Sequence, residues 1–191
     1  MKRQAEKRLG RGELLDLCLK AFLEVGTLDL SLDQLASRVG ISKRMLIHYF
    51  GGRENIEDGA IARLEDRLRE QFAPDKFPPG VSGEKVVMAL WERTTASASK
   101  PVLLLIMDIS RRAWKGSERA RAFYDEQQSL WVKLLRNYIP DRRTVEDVLQ
   151  VFQGATLAYL ITGDPEPGRR TLLCIAGGRR RGRGEADCDD G

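Results

Sequence analysis

Ser31-Leu32-Asp33-Gln34-Leu35-Ala36-Ser37-Arg38-Val39-Gly40-Ile41-Ser42-Lys43-Arg44-Met45-Leu46-Ile47-His48-Tyr49-Phe50 is the stretch that decides the fold. It reads as two short helices meeting at a turn on Gly40. Ser31 and Gln34 have the spacing of a capping box, in which each side chain satisfies the other residue's backbone N–H at a helix start. The helix runs through Leu35, Ala36 and Val39 and stops at Gly40, a residue that enters the left-handed conformation of a turn without steric cost. Ser42 then caps a second helix, Lys43 to Phe50. Ala36 is small enough to let that helix approach closely. Leu35, Val39, Ile41, Leu46 and the Tyr49-Phe50 pair supply an apolar inner face, which leaves Lys43, Arg44, Met45 and His48 outside. A basic helical face about 10 Å across has the size and sign that the major groove of double-stranded DNA accepts.

Working outward, residues 12–25 place Leu14, Leu15, Cys18, Leu19, Phe22, Leu23 and Val25 at helical spacing, and Gly26 stops the run. After Gly51-Gly52, a further helix is expected from about Arg53 to Phe72 through Ile56, Ile61, Leu64 and Leu68. Pro74, Pro78, Pro79, Gly80 and Gly83 mark a connection. Helical pattern resumes at Glu84 with Val87, Leu90 and Trp91, and again near Pro101, which suits a helix start. Val102 to Met107 is apolar all round and predicts a helix buried on most sides. Ser117-Glu118 opens a long helix with Phe123, Gln127, Leu130, Leu134 and Tyr138 on one stripe, ended by Pro140. Two more helices are expected, from Val145 to Ile161 with Gly163 closing it, and from about Pro165 to Ala176. No alternating run argues for a sheet, so the fold class is all-α. Beyond Gly177 the chain turns Arg- and Gly-rich and then acidic, a composition that predicts disorder.

Composition sets the outer limits. The chain has 191 residues, 42% of them hydrophobic, which is enough for a packed core, and a formal net charge of +4, which mildly favours a polyanionic partner. Cys18, Cys174 and Cys188 are too scattered for a disulfide framework and suggest a reducing compartment. They read as two buried thiols and one in the tail. The basic start at Lys2-Arg3 has no uninterrupted apolar core behind it, because Glu13, Asp16 and Lys20 intervene, and Val102 to Met107 is too short to span a bilayer. A soluble, cytoplasmic protein without a membrane partner is expected. With His48 the sole histidine and no cysteine near it, no catalytic residue, metal site or cofactor is expected either.

The stretch from Leu14 to Ile56 resembles the DNA-binding domain of the tetracycline-repressor (TetR) family. Val39-Gly40-Ile41-Ser42-Lys43, then His48-Tyr49-Phe50, then Arg53-Glu54 are similar to the family's turn, its His-Tyr-Phe close and the basic-acidic start of its fourth helix. The resemblance implies DNA binding by Ser31, Ser42, Lys43, Arg44, Met45, His48, Tyr49 and Arg53, with Ser31 and Arg53 on phosphates. Lys2, Arg3, Lys7 and Arg8 would form a flexible arm, as a solvated tail or with added phosphate contacts. Arg44, Met45 and Ile47 replace the family's common glycine, threonine and tyrosine. Arg44 would read guanine by paired hydrogen bonds, worth about 1–3 kcal/mol of discrimination. Met45 would pack on a thymine methyl, and Ile47 forgoes a usual phosphate contact.

The resemblance also implies an organisation. Residues 1–57 would form a helix-turn-helix DNA-binding domain built from three helices. Residues 58–177 would form a larger helical regulatory domain for ligand binding and dimerisation, and residues 178–191 a disordered tail. The last two helices would make a homodimer over a near-palindromic operator, with Gly154, Ala155 and Ala158 allowing close approach. Trp91, Met107, Trp114, Phe123, Trp131 and Phe152 are candidates to line a pocket for an unidentified small-molecule effector, although such side chains are more often plain core. Asp108, set after six apolar residues, would pair with Arg111 or Arg112 at the surface or face a cationic ligand. The function expected is a ligand-released transcriptional repressor. Its alternatives are a regulator governed by a protein partner, or an all-α enzyme, which the shortage of His, Cys and paired carboxylates disfavours.

Overall fold

The computed structural model describes residues 9–72, 77–78 and 80–177. Within them the chain forms α1 (Arg11–Val25), α2 (Leu32–Val39), α3 (Lys43–Phe50), α4 (Arg53–Gln71), α5 (Gly83–Thr95), α6 (Lys100–Trp114), α7 (Glu118–Arg136), α8 (Arg142–Thr162) and α9 (Glu166–Ala176), with a single 3-10 turn at Ser97–Ser99. No strand occurs among the described residues, and the fold class is all-α. The Arg/Gly-rich and acidic tail and the basic residues Lys2, Arg3, Lys7 and Arg8 lie outside the described residues.

Two compact units emerge. One holds α1 to α4, α6 and α7 as far as Leu130. Its core is a continuous cluster of Leu14, Cys18, Leu19, Phe22, Leu28, Leu35, Leu46, Phe50, Ile56, Ile61, Leu64, Leu105, Ile109 and Phe123, all buried. Apart from Leu28 in the connection after α1, these are the apolar positions that helical spacing turns to one side, and their removal from water is the main favourable term in forming the unit. Gly26 shows how tightly α1 and α6 are fitted. Its φ of 71° is left-handed, and a β-carbon added there would lie 2.8 Å from the β-carbon of Leu104. Glycine is thus required both by the turn and by the neighbouring helix.

The other unit holds α5, the end of α7, α8 and α9. Val86, Val87, Leu90, Val145, Val148, Leu149 and Leu172 are buried in it around Trp91. The Trp91 indole N–H donates to the Pro165 carbonyl at 3.1 Å, and its ring stands edge-on to Phe152 at 5.4 Å. The Tyr159 hydroxyl donates to the Thr95 carbonyl at 2.7 Å, which ties α8 to the end of α5. Asp141 caps α8, its carboxylate accepting from the Thr144 N–H and hydroxyl at 2.8 and 2.6 Å. Those hydrogen bonds favour the charged form and hold the Asp141 carboxyl below its usual range.

Three local expectations change. The apolar run in α6 is not closed on most sides: Leu105 and Ile109 are buried, whereas Leu104 is 41% exposed. A helix of 15 residues offers several faces, and in this unit α6 turns the stripe carrying those two residues into the core. Helix α7 ends at Arg136 rather than at Pro140, its last turn tightening through N–H bonds from Tyr138 and Ile139 to the Leu135 carbonyl. Cys18 is buried as expected, but Cys174 is exposed on α9. Burial disfavours the thiolate and pushes Cys18 up to about 11.

Candidate nucleic-acid interface

Helices α2 and α3 are set by short-range chemistry. The Ser31 hydroxyl accepts from the Gln34 N–H at 3.2 Å, and the Gln34 side chain accepts from the Ser31 N–H at 2.8 Å, which completes the capping box. Gly40 follows at φ 79°, its N–H returning to the Ala36 carbonyl at 2.9 Å. The Ser42 hydroxyl caps α3 by accepting from the Met45 N–H at 3.2 Å. Leu35, Ala36, Leu46 and Phe50 are buried, and Val39, Ile41 and Tyr49 pack against them while partly exposed. The inner face is the one expected from the sequence.

The outer face of α3 consists of Lys43, Arg44, Met45, Ile47 and His48, all exposed. Lys43 bridges back to Asp33 of α2, ammonium to carboxylate, at 2.9 Å. Both partners are largely in solvent, so a phosphate can take the lysine from the aspartate at small cost. Arg44 makes no hydrogen bond or ion pair among the described residues, and its guanidinium is presented to solvent. The His48 ring meets Tyr49 edge-on at 5.6 Å, which steadies both at the end of the helix. Ser31, Ser42, Lys43, Arg44, Met45, His48 and Tyr49 therefore belong to two adjacent helices and their caps.

Arg53 is placed differently. At the head of α4 its Nε donates to Glu57 Oε1 at 2.6 Å and its Nη2 to the Leu28 carbonyl at 3.1 Å, and Asp29 lies 3.6 Å away. Its guanidinium clasps the connection between α1 and α2 to α4. Around it stands a cluster of charges drawn from distant parts of the chain. Arg112 reaches Asp29 at 2.6 Å and Glu57 at 3.0 Å, and Arg111 reaches Asp29 at 2.7 Å.

Asp108 is the centre of that cluster. One carboxylate oxygen accepts from the Leu28 N–H at 2.9 Å, the Thr27 hydroxyl at 3.1 Å and Arg112 Nε at 3.1 Å. The other accepts from Arg111 Nε at 3.0 Å and Nη2 at 2.7 Å. Asp108 thus pairs with both arginines that the sequence offered. Its own side chain is 9% exposed, against 42% for Arg111 and 18% for Arg112, so the bond to Arg111 lies at the surface and the one to Arg112 is part-buried. Burial acts to raise its carboxyl, but the Leu28 N–H, the two guanidinium groups and the Thr27 hydroxyl outweigh it and hold it below the usual 3.8. Its position after an apolar run, with arginines three and four residues on, is the one sequence signal for this cluster. The partners on Thr27, Leu28, Asp29 and Glu57 carry none.

The aromatic and methionine candidates divide between the units. Trp91, Trp131 and Phe152 belong to one and Met107, Trp114 and Phe123 to the other. Trp91 and Phe152 are in ring contact, and Phe123 is buried. Trp114 is 85% exposed at the end of α6. No group of three or more His, Cys, Asp or Glu able to hold a metal ion occurs among the described residues, and no described helix is long and apolar enough to cross a membrane.

A capped helix pair with an exposed basic helix on an all-helical frame defines a helix-turn-helix DNA-binding transcriptional regulator. Residues 14–56 match the family described as "Bacterial regulatory proteins, tetR family". An HTH-type regulator of Pseudomonas putida, TtgW, is 29% identical over 101 residues, covering 52% of this chain and 73% of that protein. The regulator BetI of Escherichia coli is 26% identical over 159 residues, covering 80% of this chain and 78% of BetI. Among solved structures, a transcriptional regulator from Rhodococcus sp. superposes with a TM-score of 0.73 at 16% identity, covering 88% and 95% of the two chains. A TetR transcription regulator from Haloarcula marismortui gives 0.71 at 14%, covering 87% and 96%. Residues 14–56 thus resemble that family's DNA-binding part, and the chain shares the fold of these solved regulators. The proteins it matches are regulators of transcription and not enzymes.

Proposed function

We propose that the protein is a dimeric repressor that leaves a near-palindromic operator when a small molecule binds. The observation that carries the reading is the outer face of α3, where Arg44 is unpaired among the described residues and Lys43 is held only by an exposed carboxylate. In this reading Ser31, Ser42, Lys43, Tyr49 and Arg53 contact phosphates, and Arg44, Met45 and His48 reach base edges. Residues 1–57 read DNA, while residues 58–177 take the effector and the partner copy, leaving 178–191 as a tail. Dimerisation through α8 and α9 is supported by Leu157 and Ile161, which are 51% and 77% exposed on α8. Gly154 and Ala158 beside them keep that surface low. In this reading the Trp91–Phe152 aromatic pair meets an apolar effector.

Duplexes selected from a random pool test the reading directly. Binding should weaken steeply with salt as counterions are released, and the selected sites should be two-fold symmetric. Replacing Lys43 and Arg44 by alanine should abolish binding without unfolding the protein. A flat salt response, or a monomer by sedimentation at concentrations that saturate the duplex, refutes it. A thermal-shift screen of small molecules, followed by release of the duplex, tests the effector.

A further inference from the structure

Two large apolar side chains stand in water on the outer face of α3, Met45 at 40% and Ile47 at 42% exposed. Successive helical residues are about 100° apart, so with Leu46 and Phe50 turned into the core, Arg44 and His48 point away from it and Met45 and Ile47 occupy opposite flanks. A β-branched residue at position 47 contributes little to the hydrophobic core and lowers helix propensity, so neither burial nor local folding accounts for it. It can neither donate to a phosphate nor accept from a base. On the major-groove edges of DNA the apolar feature such a side chain can meet is the C5-methyl group of thymine.

We infer that Ile47 is a specificity-determining residue that seats against a thymine methyl in each operator half-site. The inference rests on the DNA-binding reading and deepens it. Ile47 suits the task because in a helix its branched side chain is held near one rotamer, so ordering it at the interface loses little entropy. Met45, on the other flank, is flexible and adapts to what it meets. Arg44 lies three residues before Ile47 and is separated from it by about 4.5 Å of helix rise, against about 3.4 Å per base step. The thymine read by Ile47 therefore falls within one or two base pairs of the guanine read by Arg44.

The test uses the full-length protein and a duplex selected by it. Each thymine is replaced singly by deoxyuridine, which removes the methyl and leaves the base pair, and affinity is read by fluorescence anisotropy for wild type, Ile47→Ala and Met45→Ala. Wild type should lose about fourfold at one thymine per half-site, and about fifteenfold when both half-sites are changed. Ile47→Ala should lose less than about twofold at that thymine, and Met45→Ala should keep the full loss there. Equal losses in wild type and Ile47→Ala at every thymine overturn the inference, as does a loss erased by Met45→Ala instead. Failure to select any sequence overturns the DNA-binding reading itself, and this inference with it.

Discussion

Asp108→Asn is the most informative single change in the described fold. The substitution keeps the shape and removes the charge. Its amide oxygen can take the place of the oxygen that now accepts from Leu28, Thr27 and Arg112. The amide nitrogen must then face Arg111, donor against donor, and that guanidinium swings into solvent. The bond from the Leu28 N–H falls from charge-assisted to neutral and Arg112 loses one carboxylate partner, a loss of about 2 kcal/mol. For a chain of this size that lowers the melting temperature by about 4–8 °C. Asp108→Ala, which leaves the Leu28 N–H and Arg112 Nε without their acceptor while Arg112 keeps Asp29 and Glu57, should lose about 2–4 kcal/mol.

Urea denaturation followed by far-UV circular dichroism measures both. The pH dependence fixes the cause. Asp108 has a lowered pKa in the folded protein, so its stabilisation is fully present above the usual carboxylate value and is lost as pH falls through the folded value. The gap between wild type and Asp108→Asn should hold steady from about pH 8 to pH 5 and close below about pH 4. A gap under about 0.5 kcal/mol at neutral pH, or one that widens on acidification, refutes the assignment of Asp108 as the centre of the cluster.

Other perturbations test other parts of the structure. Gly26→Ala should destabilise by about 2–4 kcal/mol in urea, combining a left-handed backbone with overpacking against α6. Because the close contact is to the β-carbon of Leu104, Leu104→Ala should fail to relieve it, and rescue by that change would count against the contact. Ser42→Ala should lose about 1 kcal/mol by uncapping α3, and full retention of stability would place the α3 start elsewhere. With iodoacetamide at neutral pH and peptide mass spectrometry, Cys174 should be labelled and Cys18 protected until urea unfolds the chain. Early labelling of Cys18 would contradict its burial.

Local signals in the chain prescribe the helix starts and which face of α3 is exposed. Ser31 and Gln34 complete a capping box across three residues, Ser42 caps α3, and Gly40 turns the chain with a bond to a carbonyl four residues back. Apolar residues at helical spacing foretold Leu35, Leu46 and Phe50 in the core, and with them Lys43, Arg44, Met45 and His48 outside. What depends on distant partners is settled by packing. Arg53 is clasped by Leu28 and Glu57, Asp108 is closed over by the turn after α1, and Cys174 faces solvent, as does Trp114. Asp108 meets the Leu28 N–H across 80 residues of chain. A bond within one helical turn is fixed by the backbone geometry the sequence already prescribes, whereas a bond over that distance exists only after α1 and α6 have packed. Periodicity specifies which face of each helix is apolar. The neighbour that covers the face, and the charges that meet at its rim, are set when the helices come together.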